Sequence, residues 1–330
     1  MTFFMTMRKI FPDYLLITLK GIAMGAADVV PGVSGGTIAF ISGIYQELID
    51  SINKINIGTL KTLKNNGFKA AWGSVNGNFL LALLSGIAIS VLTFSKIITH
   101  LLETQPILVW SFFFGLVIAS IVFIWKEITH WHLKGIIALL IGTILSYYIT
   151  IAEPTSSPDS YPYLFLSGFL AIIAMILPGV SGAFILLLMG SYQTVIGTIN
   201  QLREGLTQMN TDLLLQAFTK LAVFAGGAIL GLKLFSRVLT WMFAHHKNTT
   251  LAMLIGFMIG SLNKIWPWKE VLETRVNSHG ATVPFIERSI LPINFVGEPK
   301  IFGAIIMAVI GFFLIFGLEK LAFKLGKTNS

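Results

Sequence analysis

The sequence predicts an all-α, polytopic helical membrane protein of two inverted repeats. Each repeat holds a helical hairpin broken at a Pro-Gly step, plus three transmembrane helices. Three observations carry this. The pentapeptide Pro-Gly-Val-Ser-Gly occurs twice, at residues 31–35 and 178–182, inside matching frames. Of the 330 residues, 55% are hydrophobic and only 12% charged, whereas about a quarter are charged in soluble domains. Basic residues concentrate in alternate loops, as the positive-inside rule requires of a multi-span chain.

The frames around the two motifs agree at one constant offset. Gly21 and Ala27 match Gly168 and Ala174, while Gly43, Tyr45, Gln46, Ile52 and Asn53 match Gly190, Tyr192, Gln193, Ile199 and Asn200. Further along, Gly86, Ser95, Gly115 and Ser120 match Gly227, Ser236, Gly256 and Ser261 at a second offset. The chain is a duplication.

Taken in order, repeat 1 covers residues 1–152. Its hairpin, 10–53, turns at Pro31, either re-entrant or fully spanning. A loop with Lys54, Lys61, Lys64 and Lys69 follows and belongs in the cytoplasm. Spans at 79–99, 106–125 and 135–152 approach the roughly 20 apolar residues that cross hydrocarbon. Residues 153–160 form an external linker with no basic residue. Repeat 2, 161–330, has its hairpin at 161–200 and spans at 220–244, 249–265 and 301–318. The loop 266–299 carries nearly balanced charge and belongs outside, whereas Lys320, Lys324 and Lys327 belong inside. Both termini are therefore expected in the cytoplasm. An odd number of crossings per half inverts the halves, an arrangement that places a site near the midplane and permits alternating access.

Several function classes fall away. The net charge of +8 sits in loops without interleaved aromatics, so it marks topology and not a nucleic-acid surface. The absence of cysteine excludes a disulfide framework and a thiolate metal site. The N-terminal apolar run is interrupted by Asp13 and Lys20 and lacks a signal-peptide pattern.

The motif has its own chemistry. Pro31-Gly32 and Pro178-Gly179 end one helix, because proline lacks an N–H and glycine weakens helices. Ser34 caps the helix that restarts. Gly35, Gly36 and Thr37, with Ser181 and Gly182 in the second copy, present backbone donors suited to an anion. The structural alternative is a joint in which the two breaks satisfy each other or hold water. Lys96 and Arg237 occupy matched Phe-Ser-Lys and Phe-Ser-Arg positions and supply one cation toward each face; snorkelling is the plainer alternative. Asp28 matches Met175 and Lys20 matches Ser167. Such asymmetry points either to coupling with a proton or sodium ion, or to a carboxylate capping backbone donors. Glu47 is a second ion-coupling candidate. Tyr45 and Gln46 are expected as interfacial anchors, like Tyr192 and Gln193. No cofactor is expected beyond a coupling ion.

Two rivals stand beside transport of a large anion. Residues 32–36 match the G-x-S-x-G pattern of serine hydrolases, yet no histidine falls at membrane depth. The histidine pairs lack a carboxylate cluster that would hold metal, so neither enzyme nor metal site is expected. Paired half-helices also build channels for small anions.

The run from Gly25 to Thr37, Gly-Ala-Ala-Asp-Val-Val-Pro-Gly-Val-Ser-Gly-Gly-Thr, followed by Gly43-Ile44-Tyr45, resembles the signature of the PopT family of undecaprenyl-phosphate translocases. The resemblance covers nearly the whole chain. It implies movement of the cell-wall lipid carrier from the outer to the cytoplasmic leaflet of the bacterial inner membrane. The implied headgroup region falls on Asp28 and residues 31–37, with residues 178–182 opposite. The second copy departs, having Ala183-Phe184 where the first has Gly36-Thr37, which leaves it fewer uncovered donors. An anionic head in a polar path with its polyprenyl tail left in lipid fits this pattern.

Overall fold

The computed structural model describes residues 11–30, 33–155, 157–158, 160–276 and 282–327. The first hairpin is α1 (Phe11–Val29), α2 (Gly35–Ile41) and α3 (Tyr45–Lys54). It is followed by α4 (Ile57–Ser74), α5 (Gly77–Thr104), α6 (Pro106–Glu127) and α7 (Leu133–Ile151). The second hairpin is α8 (Tyr161–Ile176), α9 (Gly182–Leu188) and α10 (Tyr192–Gln208), then α11 (Thr211–His245) and α12 (Lys247–Ser261). Two antiparallel strands, β1 (Lys269–Val276) and β2 (Thr282–Ser289), precede α13 (Ile301–Lys327).

Local signals place these boundaries. Asn56 and Asn210 cap α4 and α11 through their side chains, and Pro106 opens α6. After the short α2 and α9, Gly43 and Gly190 adopt φ values of 72° and 66°. Only a residue free of Cβ strain takes that left-handed stop readily. The chain then re-enters a helix, and α9 and α10 are bent by 107° relative to one another. Among the described residues, α5, α6, α7 and α11 are long and apolar enough to cross a bilayer, and the bent α9–α10 pair would add a fifth span. The predicted all-α class holds for the membrane portion. The β-hairpin and the exposed α4 add structure where the sequence suggested loops.

The duplication is visible in the packing. α1 runs along α5 as α8 runs along α11. A Cβ on Gly21 would lie 2.3 Å from the Leu83 carbonyl oxygen, and one on its match Gly168 would lie 2.2 Å from that of Phe224. The close crossing is thus built from the same sequence positions in both halves. The last helices are exchanged: α7 packs on α12, and α13 packs on α6. Matched Gly256 and Gly115 carry these contacts, against the carbonyls of Leu139 and Ala308. The buried core, including Val30, Val33, Ile44, Leu116, Leu254 and Met258, lies where hairpins and exchanged helices meet. Outward faces of α5, α7, α11 and α13 expose large apolar residues such as Leu92, Ile144, Phe218 and Phe302, the surface a bilayer covers.

Candidate functional site

The two breaks meet. Ser34 takes extended backbone angles and caps α2, its Oγ accepting the Gly36 N–H at 3.1 Å while its carbonyl accepts the Thr37 N–H at 2.9 Å. The Gly35 N–H donates to Asp28 Oδ1 at 2.6 Å. Gly35 is required there, since a Cβ would sit 2.5 Å from Asp28 Oδ2. A carboxylate of this chain therefore already lies at the positive end of α2, where the helix dipole favours negative charge. Pro31 and Gly32 lie outside the described residues.

From the other half, α8 ends with orphan carbonyls, as helix C-termini do. The first hairpin satisfies them. The Ser34 hydroxyl lies 3.3 Å from Met175 O and 3.2 Å from Leu177 O, and the Tyr45 hydroxyl donates to Ile176 O at 3.1 Å. In return, the Gly179 N–H donates to Thr37 Oγ1 at 3.0 Å. Ser34, Thr37 and Tyr45 are 1%, 0% and 3% exposed, so this is a dry, sewn joint. Tyr45, expected as an interfacial anchor, is a buried part of it, because α3 folds back under α2 and turns the ring onto Phe40 and Phe243.

Ser181 caps α9, accepting the Phe184 N–H at 3.4 Å, and Gly182 begins that helix against Ala171. Gly179, at φ 87°, lies against Ser261 and Met258 of α12. A cavity of about 10 Å³ opens here, lined by Ser146, Ile149, Thr150, Gly179, Val180, Ser181, Phe184 and Lys264. That is room for about one water, so this conformation is closed to a larger guest.

The sequence-predicted residues thus divide. Asp28, Ser34, Gly35, Gly36, Thr37 and Gly179 come together at the joint, with Ser181 and Gly182 just beyond it. Glu47 is held elsewhere, accepting from Asn76 Nδ2 at 2.9 Å and tying α3 to the start of α5. Arg237 lies on the exposed surface of α11, away from the joint. Its neighbour Lys233 donates to Ile52 O, within a polar seam where Asn53 binds Ser236 and Thr240. Lys96 falls in α5, and its side chain lies outside the described residues. Lys20 donates to Ser42 O at 2.7 Å.

One residue escaped the sequence argument. Lys264 ends the α12 run beside Asn263 and Trp266, where a lysine reads as an interfacial anchor. A signal was there: its counterpart at the second repeat offset is Phe123. Its ammonium lies 4.4 Å from the Phe184 ring centre and 3.8 Å from Glu287. Lys269 on β1 lies 3.4 Å from the same Glu287 and 3.7 Å from the Trp110 ring centre.

Lys269 belongs to the β-hairpin, outside the spans. Burial pulls its ammonium down to about pKa 8, Glu287 opposing the fall and Lys264 adding to it. Because this lies below the free-lysine value, the unfolded chain binds more protons between about pH 8 and 10.4, and stability rises with pH across that window. Methyl-¹³C NMR of reductively methylated protein should show a lysine resonance titrating near pH 8 that vanishes in Lys269→Arg. The same set of resonances titrating below about pH 10 in the wild type and in Lys269→Arg would contradict it.

The family model described as undecaprenyl phosphate translocase-like matches residues 24–283, which span both breaks, Asp28 and Lys264. The polyprenyl-phosphate transporter of Vibrio cholerae serotype O1 is 43% identical over 316 residues, covering 94% of this chain and 98% of that relative. The chain belongs to this family. The polyprenyl-phosphate transporter of Staphylococcus aureus is 31% identical over 261 residues, covering 76% of this chain and 85% of that relative. No solved structure matches. The family match ends within β2 and so takes in Glu270 and Lys269, although α13 lies beyond it.

Proposed function

We propose that this chain is a flippase that moves undecaprenyl phosphate from the outer to the cytoplasmic leaflet of the bacterial inner membrane, returning the lipid carrier for reuse. The observation that carries the reading is the joint itself, two interrupted helices meeting through hydroxyls and amides in an apolar bundle. The hydrogen bonds at and beside it use groups able to bind phosphate: the hydroxyls of Ser34, Thr37 and Tyr45 and the amides of Gly35, Gly36 and Gly179. A phosphate exchanging for those internal partners would open the joint without leaving donors unpaired in hydrocarbon, where each costs several kcal/mol. The broken-helix arms of the two repeats, inverted relative to each other, would alternate in exposing it. Ser181 and Gly182 would receive the head on the second hairpin, with Lys96 and Arg237 attracting or releasing it at opposite faces. Asp28, seated where the phosphate would go, would couple exchange to a proton or sodium ion. The tail would stay in lipid throughout.

The test is leaflet exchange of labelled polyprenyl phosphate loaded into one leaflet of proteoliposomes. The chain should accelerate exchange over empty vesicles, and no acceleration rejects the flippase. An ion current with no lipid movement would favour a small-anion channel instead. In the same assay Arg237→Gln should slow exchange about tenfold, as expected for loss of one charge-assisted contact. Unchanged exchange would remove Arg237 from the mechanism.

A further inference from the structure

Beneath the β-hairpin, two lysines share one carboxylate. Lys264 and Lys269 are 14% and 7% exposed, Glu287 is 20% exposed, and both ammonium groups lie within 4 Å of that single carboxylate. The cluster therefore holds one surplus positive charge in a nearly dry place, which is costly unless an anion completes it. The aromatic faces of Phe184 and Trp110 soften that cost without cancelling it. Also on the hairpin, Arg288 pairs with Glu270 at 2.7 Å on the surface. Lys264 also lines the cavity beside Ser181, whose hydroxyl accepts from Phe184 and keeps its own proton to give.

We propose that Lys264 and Ser181 form a phosphate subsite on the β-hairpin side of the joint, with Glu287 as a built-in counter-ion that the incoming phosphate displaces. The missing negative charge is what a phosphate monoester supplies. Lys269 then keeps Glu287 as the lipid takes Lys264, so no carboxylate is stranded. The same turn that aims Lys264 at the cavity turns Leu262 and Trp266 into an apolar groove with Phe114, Ile290 and Leu291. The isoprenoid units nearest the phosphate occupy that groove. The inference deepens the transport reading and rests on it, adding an entry site the duplicated motif does not encode.

Calorimetric titration of the purified full-length protein with farnesyl phosphate, farnesol and inorganic phosphate tests this. Lys264→Gln should weaken farnesyl phosphate binding by roughly tenfold or more, Lys264→Arg should largely retain it, and Glu287→Gln should tighten it. Farnesol should bind weakly and equally to all. Unchanged affinity in Lys264→Gln overturns the subsite, as does an equal loss in Lys264→Arg, which would mark a packing role. Inorganic phosphate binding as tightly as farnesyl phosphate overturns the lipid as occupant. If the wild type exchanges lipid between leaflets while Lys264→Gln keeps full affinity, only the subsite fails. If the wild type neither exchanges lipid nor binds farnesyl phosphate, the transport reading fails with it.

Discussion

Asp28→Asn should cut leaflet exchange on the order of tenfold or more while leaving the protein folded and still able to bind polyprenyl phosphate. Asparagine keeps the shape and keeps an oxygen for the Gly35 N–H, now 2.6 Å from Asp28 Oδ1, but it removes the negative charge. Asp28→Ala removes both. It strands a buried amide, which costs about 1–3 kcal/mol, so melting temperature should fall as well as exchange. Comparing the two separates a carboxylate that titrates or trades places with the substrate from one that merely caps α2. Normal exchange in Asp28→Asn, with a defect only in Asp28→Ala, would establish the cap and end the coupling role. Proteoliposome exchange and a thermal melt on each variant decide it.

The second large effect is on stability. Gly115→Val should lower the melting temperature by roughly 5–10 °C, the consequence of overpacking that forces neighbours aside. A Cβ at Gly115 would stand 1.9 Å from the Ala308 carbonyl oxygen and 2.8 Å from its Cα. Those are backbone atoms of α13 and cannot swing away, so α6 and α13 must separate. Gly197→Ala is the control. It lies within α10 with nothing inside 4 Å of the added carbon, and alanine in a helix should be neutral or stabilising by about 0.5–1 kcal/mol. If Gly115→Val melts with the wild type, the close crossing does not hold the halves together.

Much of the bundle was legible because bilayer crossing demands long apolar runs. The predicted spans 79–99, 106–125, 135–152 and 220–244 lie inside or within one residue of α5, α6, α7 and α11. Both hairpins were marked by the same Pro-Gly step and by the glycines that stop α2 and α9. The β-hairpin was hidden because Lys269, Glu270, Glu273, Thr274 and Arg275 read as a polar external loop. What recruits that segment is partly Trp268, buried under it and donating to Pro299 O at 2.8 Å. The partners of the motif were equally illegible. That Ser34 and Tyr45 serve carbonyls of α8 depends on how two distant hairpins dock, and no local pattern encodes docking. Asp28 was visible as an unmatched charge, yet its seat at Gly35 required the chain to double back across the break.

The exchanged last helices determine what can move. Since α7 is bound to α12 and α13 to α6, tilting one sequence half as a unit would tear a tight glycine contact on each side. A movement that keeps both contacts would fall instead to two arms, α1 with α5 and α8 with α11, set against a common four-helix frame drawn from both halves. A tether fixing one arm to that frame should freeze lipid passage while the frame stays whole, and severing the chain within the 153–160 linker should leave the fragments clasped.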